Sequence, residues 1–183
     1  MEGPRQVDLV LLDLDGTLVD SESLHFQAYC EAIGELGGRM DAPALTRAQY
    51  CFAKHSADGQ ESFLSAFVQM QQQQQGDGAA AGAAAGVDAG ETKAMLLEQI
   101  KVNKKRAFAA LLEETVQKKE LKMTPGAQAF LAFLREAGIA TCIVTHSRRS
   151  TFDLMAQAFP CLGGVDLVVT HDDYREAKPS PDG

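Results

Sequence analysis

Two aspartates at the end of an apolar run are the residues best suited to chemistry. Asp13 and Asp15 directly follow the run 7–12 and are separated by one leucine. Because the run predicts a β-strand that ends at Asp13, we expect the strand end and its turn to direct both carboxylates into one pocket. Such a pair suits a nucleophile beside a general acid/base. Gly16 permits a sharp turn here, although a D-x-D-G pattern alone is equally compatible with an ordinary loop.

Polar residues also follow the two later apolar runs. Thr145 closes the second run in I-V-T-H-S, where its hydroxyl and the neighbouring amides can receive a phosphoryl oxygen. The alternative is that Thr145 caps the helix that follows. Lys178 lies beyond the third run, beside Pro179, and a lysine in a loop is otherwise usually exposed to solvent. Three suitable groups at three successive strand ends favour one site over three unrelated loops.

The elements that carry these residues alternate between strand and helix. Apolar runs predict strands at 7–12, 139–145 and 165–170, the first of them buried on both faces. Helices are predicted at 124–138, with Phe130, Phe133 and Leu134 on the apolar face, and at 149–158. Strand, crossover helix and strand at this spacing predict a right-handed parallel α/β sheet.

The middle of the chain has a helical pattern. Helices are predicted at 21–36, stopped by Gly37 and Gly38, and at 62–70 and 91–118. A glutamine run and an alanine/glycine tract occupy 71–90. This tract cannot bury enough apolar surface to offset its ordering entropy, so we expect a flexible insertion. A helical segment inserted after the first strand would cover the carboxyl edge of the sheet, where such sheets bind ligands.

The composition of the chain bears on which partners it could bind and in which cellular compartment it could lie. A net charge of -8 and a pI near 5.0 argue against binding to nucleic acid or an anionic membrane, since the field of the protein repels polyanions. The four cysteines form no C-x-x-C pair, and neither a signal peptide nor a membrane-spanning stretch is recognisable. We therefore expect a reducing, intracellular setting, the cytoplasm by default and an organelle as the alternative. The oligomeric state is not predicted.

Three motifs in order resemble the haloacid dehalogenase-like hydrolase superfamily, in particular its phosphoglycolate phosphatase and β-phosphoglucomutase-like subgroup. They are L-L-D-L-D-G-T-L-V-D-S-E-S-L-H, I-V-T-H-S and K-P-S-P-D-G, and they lie within residues 7–183. The resemblance implies a Rossmann-like α/β core formed by 1–20 and 124–183. It also implies a helical cap at 21–123 that contains the insertion 71–90.

The resemblance further implies the roles of the site residues. Asp13 would attack phosphorus to form an aspartyl-phosphate, and its carboxylate would bind Mg²⁺ together with the Asp15 carbonyl. Asp15 would protonate the leaving oxygen and then activate water. Thr145 would bind the transferring phosphoryl group, while Lys178 would neutralise charge shared with Asp13. His25 occupies a position where the β-phosphoglucomutase-like group has a histidine near the acid/base, although an exposed histidine on a helix is the alternative.

The expected function is a Mg²⁺-dependent phosphatase that acts on small phosphorylated metabolites. A phosphomutase and a catalytically inactive truncated protein are the alternatives. Family members continue to an acidic fourth motif, whereas this chain stops at Gly183, so we expect an incomplete sheet, weak stability and weak or absent turnover. Asp172 and Asp173 are poor substitutes for that motif because they precede Lys178.

Overall fold

The structure, a computed structural model, describes residues 7–35, 45–55, 65 and 89–176. Three parallel strands form one sheet in the order β1-β2-β3. The strands are β1 Leu9–Leu12, β2 Ala140–Val144 and β3 Leu167–Val169. The predicted parallel α/β fold is confirmed, and all three predicted strands are present.

The first strand differs from the prediction in its burial. Leu9 and Leu11 are 53% and 63% exposed, whereas Leu14, just past the strand, is fully buried. Among the described residues, β1 lies at one edge of the sheet and pairs on one side only, with β2. The prediction that β1 is buried on both faces is therefore wrong. The central strand β2 has the burial expected of such a strand, since Cys142 and Ile143 lie in the core.

The described part of the chain contains five helices. They are α1 Glu22–Gly34, α2 Arg47–His55, α3 Ala89–Gln117, α4 Ala127–Glu136 and α5 Arg149–Ala158, and a short 3-10 turn follows at Pro160–Gly164. The predicted helices at 21–36, 91–118, 124–138 and 149–158 are thereby confirmed, with bounds that differ by up to three residues. Gly37, Gly38, the stretch 71–88 and most of the helix predicted at 62–70 lie outside the described residues.

The buried face of helix α4 differs from the one that its phenylalanines predicted. Leu131 and Leu134 are buried, but Phe130 and Phe133 are 43% and 58% exposed. Helix α4 contacts β2, and the predicted apolar face was right for Leu134 but wrong for both phenylalanines. Its end was right. Gly138 adopts a left-handed φ of 66°, and the amide of Ile139 donates to the Leu134 carbonyl at 3.0 Å, which closes the last turn.

Helix α2 was not predicted, although its start carries a local signal. The Thr46 hydroxyl accepts a hydrogen bond from the Gln49 amide at 3.3 Å, and the Gln49 side chain accepts one from the Thr46 amide at 2.9 Å. This reciprocal pair is a capping box, which satisfies amides that the first helical turn leaves without partners. The pattern T-x-x-Q could have identified the helix from the sequence.

The chain divides into two compact units, one formed by 1–23 and 112–183 and the other by 24–111. The first contains the sheet. The second has its own core, in which Tyr29 and Tyr50 pack at a ring separation of 5.9 Å. The other buried members of that core are Ala32, Ile33, Leu45 and Ile100.

The structure also bears on membrane spanning and on the state of the cysteines. Within the described ranges, no helix combines the length and apolar character needed to cross a membrane. All four cysteines, Cys30, Cys51, Cys142 and Cys161, are free thiols.

Candidate active site

A tight loop follows β1 and holds the two predicted aspartates. Asp13 is the first residue after the strand, and Asp15 begins a turn in which the Gly16 amide donates to the Val19 carbonyl at 2.8 Å. Gly16 has a φ of 74°, a conformation that costs other residues free energy. A Cβ there would also lie 3.3 Å from the carboxylate of Glu22. The glycine is therefore required by the shape of the loop.

Asp15 accepts hydrogen bonds from hydroxyls on two separate segments. The Ser21 hydroxyl donates to Oδ1 at 2.7 Å, and the Ser147 hydroxyl donates to Oδ2 at 2.7 Å. The Thr145 hydroxyl lies 3.5 Å from the same Oδ2. Ser21 is fully buried. The residues Ser21, Thr145 and Ser147 thus form a cluster of hydroxyl donors around one carboxylate, here called the hydroxyl cluster.

The strand register brings the segments of this cluster to the same edge of the sheet. Leu12 pairs with Ile143, and Val144 pairs with Val169, so Asp13 and Thr145 both follow strands that end side by side. Thr145 is 1% exposed, and its amide donates to the Val169 carbonyl at 2.9 Å. The structure therefore brings together Asp15 and Thr145, two of the residues selected from the sequence.

Ser21 and Ser147 were not selected from the sequence. Both lie inside motifs quoted above, Ser21 in the first and Ser147 at the end of I-V-T-H-S, but the residue type alone assigns neither a role. The spacing T-x-S after the second strand is a further signal, since it places two hydroxyls close together at a strand end.

Tyr174 forms a third side of the site, next to Thr145 and Asp13. Its hydroxyl donates to the Thr145 carbonyl at 3.4 Å. Burial raises the pKa of Tyr174, and the negative charge of Asp13 raises it further. The ring of His146 meets the tyrosine ring at a centroid distance of 6.2 Å. Tyr174 therefore stays a neutral hydrogen-bond donor at neutral pH.

Asp172 and Asp173 accept hydrogen bonds that stabilise the loop in which they lie. The Asp173 carboxylate accepts from the Thr170 amide and hydroxyl, both at 2.7 Å, and from the Arg149 guanidinium at 2.8 Å. The hydrogen bonds from Thr170 are the main reason that the pKa of Asp173 is lowered. Asp172 accepts from the Arg149 amide at 2.9 Å, at the start of α5. These contacts give both carboxylates a structural role, in agreement with their dismissal as a substitute motif.

Two predicted residues remain. Lys178 is outside the described residues. His25 belongs to the second unit, where its ring stacks on Phe108 at a centroid distance of 4.1 Å and its Nδ1 lies 3.1 Å from the ammonium of Lys104. The predicted part of His25 in orienting Asp15 stays a prediction.

Comparison with known proteins identifies relatives of the whole chain. Residues 7–183 match the haloacid dehalogenase-like hydrolase family. Protein CbbY of Cereibacter sphaeroides is 26% identical over 181 residues, which is 96% of this chain and 67% of that protein. The plasmid-borne CbbY of Cupriavidus necator is 28% identical over 151 residues, 81% of this chain and 51% of that protein. The chain thus spans about half to two thirds of the length of these curated relatives.

Solved structures show the same fold. A CbbY mutant from Rhodobacter sphaeroides in complex with xylulose-(1,5)-bisphosphate superposes with a TM-score of 0.61 at 24% identity, covering 97% of this chain and 69% of that one. A predicted phosphoglycolate phosphatase from Haemophilus somnus superposes with a TM-score of 0.63 at 19% identity, covering 98% and 69%.

Proposed function

The chain belongs to the haloacid dehalogenase-like hydrolases, and we propose that it hydrolyses phosphate monoesters of small metabolites through an aspartyl-phosphate on Asp13. The observation that supports this most is the hydroxyl cluster around Asp15, directly beside Asp13 at the carboxyl edge of a parallel sheet. Ligands of open α/β sheets bind at that edge.

Asp13 is the proposed nucleophile because it directly follows β1 and precedes the loop that Gly16 shapes. Its carboxylate oxygen forms a bond to phosphorus as the bond to the ester oxygen breaks. Covalent catalysis of this kind divides one difficult step into two easier ones. Water then attacks the aspartyl-phosphate, releasing inorganic phosphate and restoring the carboxylate.

Asp15 is the proposed general acid and base. It gives a proton to the departing ester oxygen and takes one from the attacking water, so that protons balance over the cycle. A positioned acid/base typically accelerates such steps by about 10²–10⁴-fold. The hydrogen bonds of Ser21 and Ser147 support this role, since they define where the carboxylate lies.

Thr145 and Lys178 are the proposed phosphate-binding residues. Thr145 presents a hydroxyl at the end of β2, next to backbone amides that precede α5, and donors of this kind stabilise charge on a transferring phosphoryl group. Tyr174 supports the backbone at this position through its hydrogen bond to the Thr145 carbonyl. Lys178 would contribute a positive charge next to Asp13.

The proposed cofactor is Mg²⁺, held by the Asp13 carboxylate and the Asp15 carbonyl. Both are oxygen ligands, which Mg²⁺ prefers, and this ion commonly uses one or two carboxylates and retains several waters. When bound, the ion would neutralise charge on the phosphoryl group.

The proposed substrate class is a small phosphorylated sugar or acid, and residues 21–123 are the proposed cap that selects it. The CbbY complex with xylulose-(1,5)-bisphosphate makes that compound a suitable first probe.

The decisive experiment looks for the covalent intermediate. The full chain is mixed with xylulose-1,5-bisphosphate or p-nitrophenyl phosphate, with and without Mg²⁺, quenched in acid and analysed by intact-protein mass spectrometry. We expect a mass increase of one phosphoryl group that hydroxylamine removes, and that is lost in Asp13→Asn. The exposed Asp153→Asn is the matched control. Phosphorylation that persists in Asp13→Asn would contradict the proposal.

A further inference from the structure

We propose that Ser147 is a positioning residue for Asp15, holding the carboxylate of the acid/base from the second motif. The inference rests on the proposed function for its catalytic consequence, but not for its geometry. Ser147 lies 132 residues from Asp15 in the sequence, and its hydroxyl donates to Oδ2 at 2.7 Å. It is half-buried, so it borders the site rather than the core.

The backbone of Ser147 is held on both sides, which presets the direction of its hydroxyl. Its amide donates to the Thr145 hydroxyl oxygen at 3.0 Å. Its carbonyl accepts from the His171 amide at 3.0 Å. A donor that is already ordered loses little entropy when it fixes its partner, so this arrangement is suited to positioning.

Ser147 and Ser21 hold different oxygens of the same carboxylate. Ser21 donates to Oδ1 and Ser147 to Oδ2, each at 2.7 Å. With both bonds in place, rotation of the carboxylate about its Cβ–Cγ bond would break at least one of them. Of the other two hydroxyls, Ser21 donates to Oδ1 and Thr145 lies 3.5 Å from Oδ2, at the limit for a hydrogen bond, so neither takes over the short contact that Ser147 makes.

The two serines differ in what their loss would do. Ser21 is fully buried, so its removal affects folding as well as geometry. Ser147 is partly exposed, so after its removal water can solvate the carboxylate oxygen without fixing its position. Substitution of Ser147 therefore separates positioning of Asp15 from stability of the loop.

Orientation of a general acid has a kinetic signature. Proton donation matters most when the leaving oxygen is a poor leaving group, as in an alkyl phosphate, and least for p-nitrophenyl phosphate. A displaced Asp15 should therefore slow phosphorylation of Asp13 by an alkyl phosphate while affecting p-nitrophenyl phosphate little. If Ser147 instead bound the phosphate that both substrates share, KM would rise for both, and if it bound the second phosphate of a bisphosphate, KM would rise for that substrate while the rate at saturation stayed the same.

The test compares Ser147→Ala, Ser147→Thr and the exposed control Ser150→Ala in the full chain. Rapid-quench measurement of phosphoprotein formation uses saturating xylulose-1,5-bisphosphate and saturating p-nitrophenyl phosphate, so that weaker binding alone leaves the measured rate unchanged. We expect Ser147→Ala to be about 10-fold slower with the first and within about twofold with the second, since positioning supplies part of the acid/base contribution. Ser147→Thr, which retains the hydroxyl, should restore the rate. Equal losses with both substrates, or no loss, would overturn the proposal.

Crystal structures of the same variants provide a measurement that does not depend on activity. The Asp15 carboxylate should leave its position or adopt alternate conformers in Ser147→Ala and return to one conformer in Ser147→Thr. An unchanged Asp15 in Ser147→Ala would overturn the positioning role. If the wild-type chain forms no phosphoprotein, the proposed function fails, and the crystal structures still decide the role of Ser147.

Discussion

In each of the two units a titratable side chain contacts at least one residue far away in the sequence, but by different means. In the sheet unit, the short side chains of Ser21 and Ser147 donate hydrogen bonds to the Asp15 carboxylate. The backbone of a loop and of a strand end fixes the positions of these two hydroxyls. In the helical unit, the long side chain of Lys104 reaches His25 and lies 5.1 Å from the ring centroid of Phe108. Short side chains transmit backbone geometry directly, whereas long side chains must be ordered by packing. The hydrogen bonds around Asp15 therefore suit a catalytic role, whereas the contacts of Lys104 suit stabilisation of the fold.

The largest expected effect is on chemistry in the sheet unit. Asp15→Asn should slow phosphoprotein formation from an alkyl phosphate by about 10²–10⁴-fold, since the amide cannot donate a carboxylic proton. Unfolding of the variant by denaturant should change little by comparison. The exposed Asp20→Asn is the matched control. A variant that phosphorylates at the wild-type rate would remove Asp15 from the mechanism.

The next effect is on stability in the same unit. Ser21→Ala should lower the free energy of unfolding by about 1–3 kcal/mol, because it removes a 2.7 Å hydrogen bond from a fully buried hydroxyl to a partly buried carboxylate. Denaturant titration followed by circular dichroism measures the change, with the exposed Ser23→Ala as the control. If the two variants are equally stable, the Ser21 contact contributes nothing, and the comparison between the units loses its basis.

A smaller effect is expected in the helical unit. Lys104→Met should lower the free energy of unfolding by about 1 kcal/mol, because the ammonium lies 5.3 Å from the Tyr29 ring centroid and 5.1 Å from that of Phe108. Methionine keeps most of the apolar length of the side chain. The exposed Lys105→Met controls for net charge. A loss no larger than that of the control would show that these contacts do not stabilise the unit.

The mildest effect concerns alkaline pH. Burial raises the pKa of Tyr29 to about 12, above the value of about 10 of a free tyrosine. The neutral phenol therefore stabilises the folded state fully below pH 10, and this contribution is lost as the pH rises from about 10 to 12. We expect Tyr29→Phe to lose less stability than wild type over that range, as measured by denaturant titration. Parallel pH profiles for the two proteins would contradict this.

Much of the fold follows from local patterns. Apolar runs located β1, β2 and β3, and Gly138 marked the end of α4, since periodicity and left-handed glycine caps depend on neighbouring residues only. The capping box of Thr46 and Gln49 is equally local and was overlooked. The pattern D-x-D-G likewise located the loop that carries the site.

Other features depend on which surfaces meet. The larger residues of α4 suggested an apolar face, yet Leu131 and Leu134 are buried while Phe130 is exposed. Periodicity defines the possible faces of a helix, but only packing against another element selects one of them.

The sequence by itself determined the family, the three strands, four of the five described helices, and the strand ends that carry Asp13 and Thr145. Only the tertiary structure decided that Ser21 and Ser147 hold opposite oxygens of Asp15. The physical reason is that hydrogen bonds between distant segments depend on strand register and loop closure, which bring together residues that no local pattern connects.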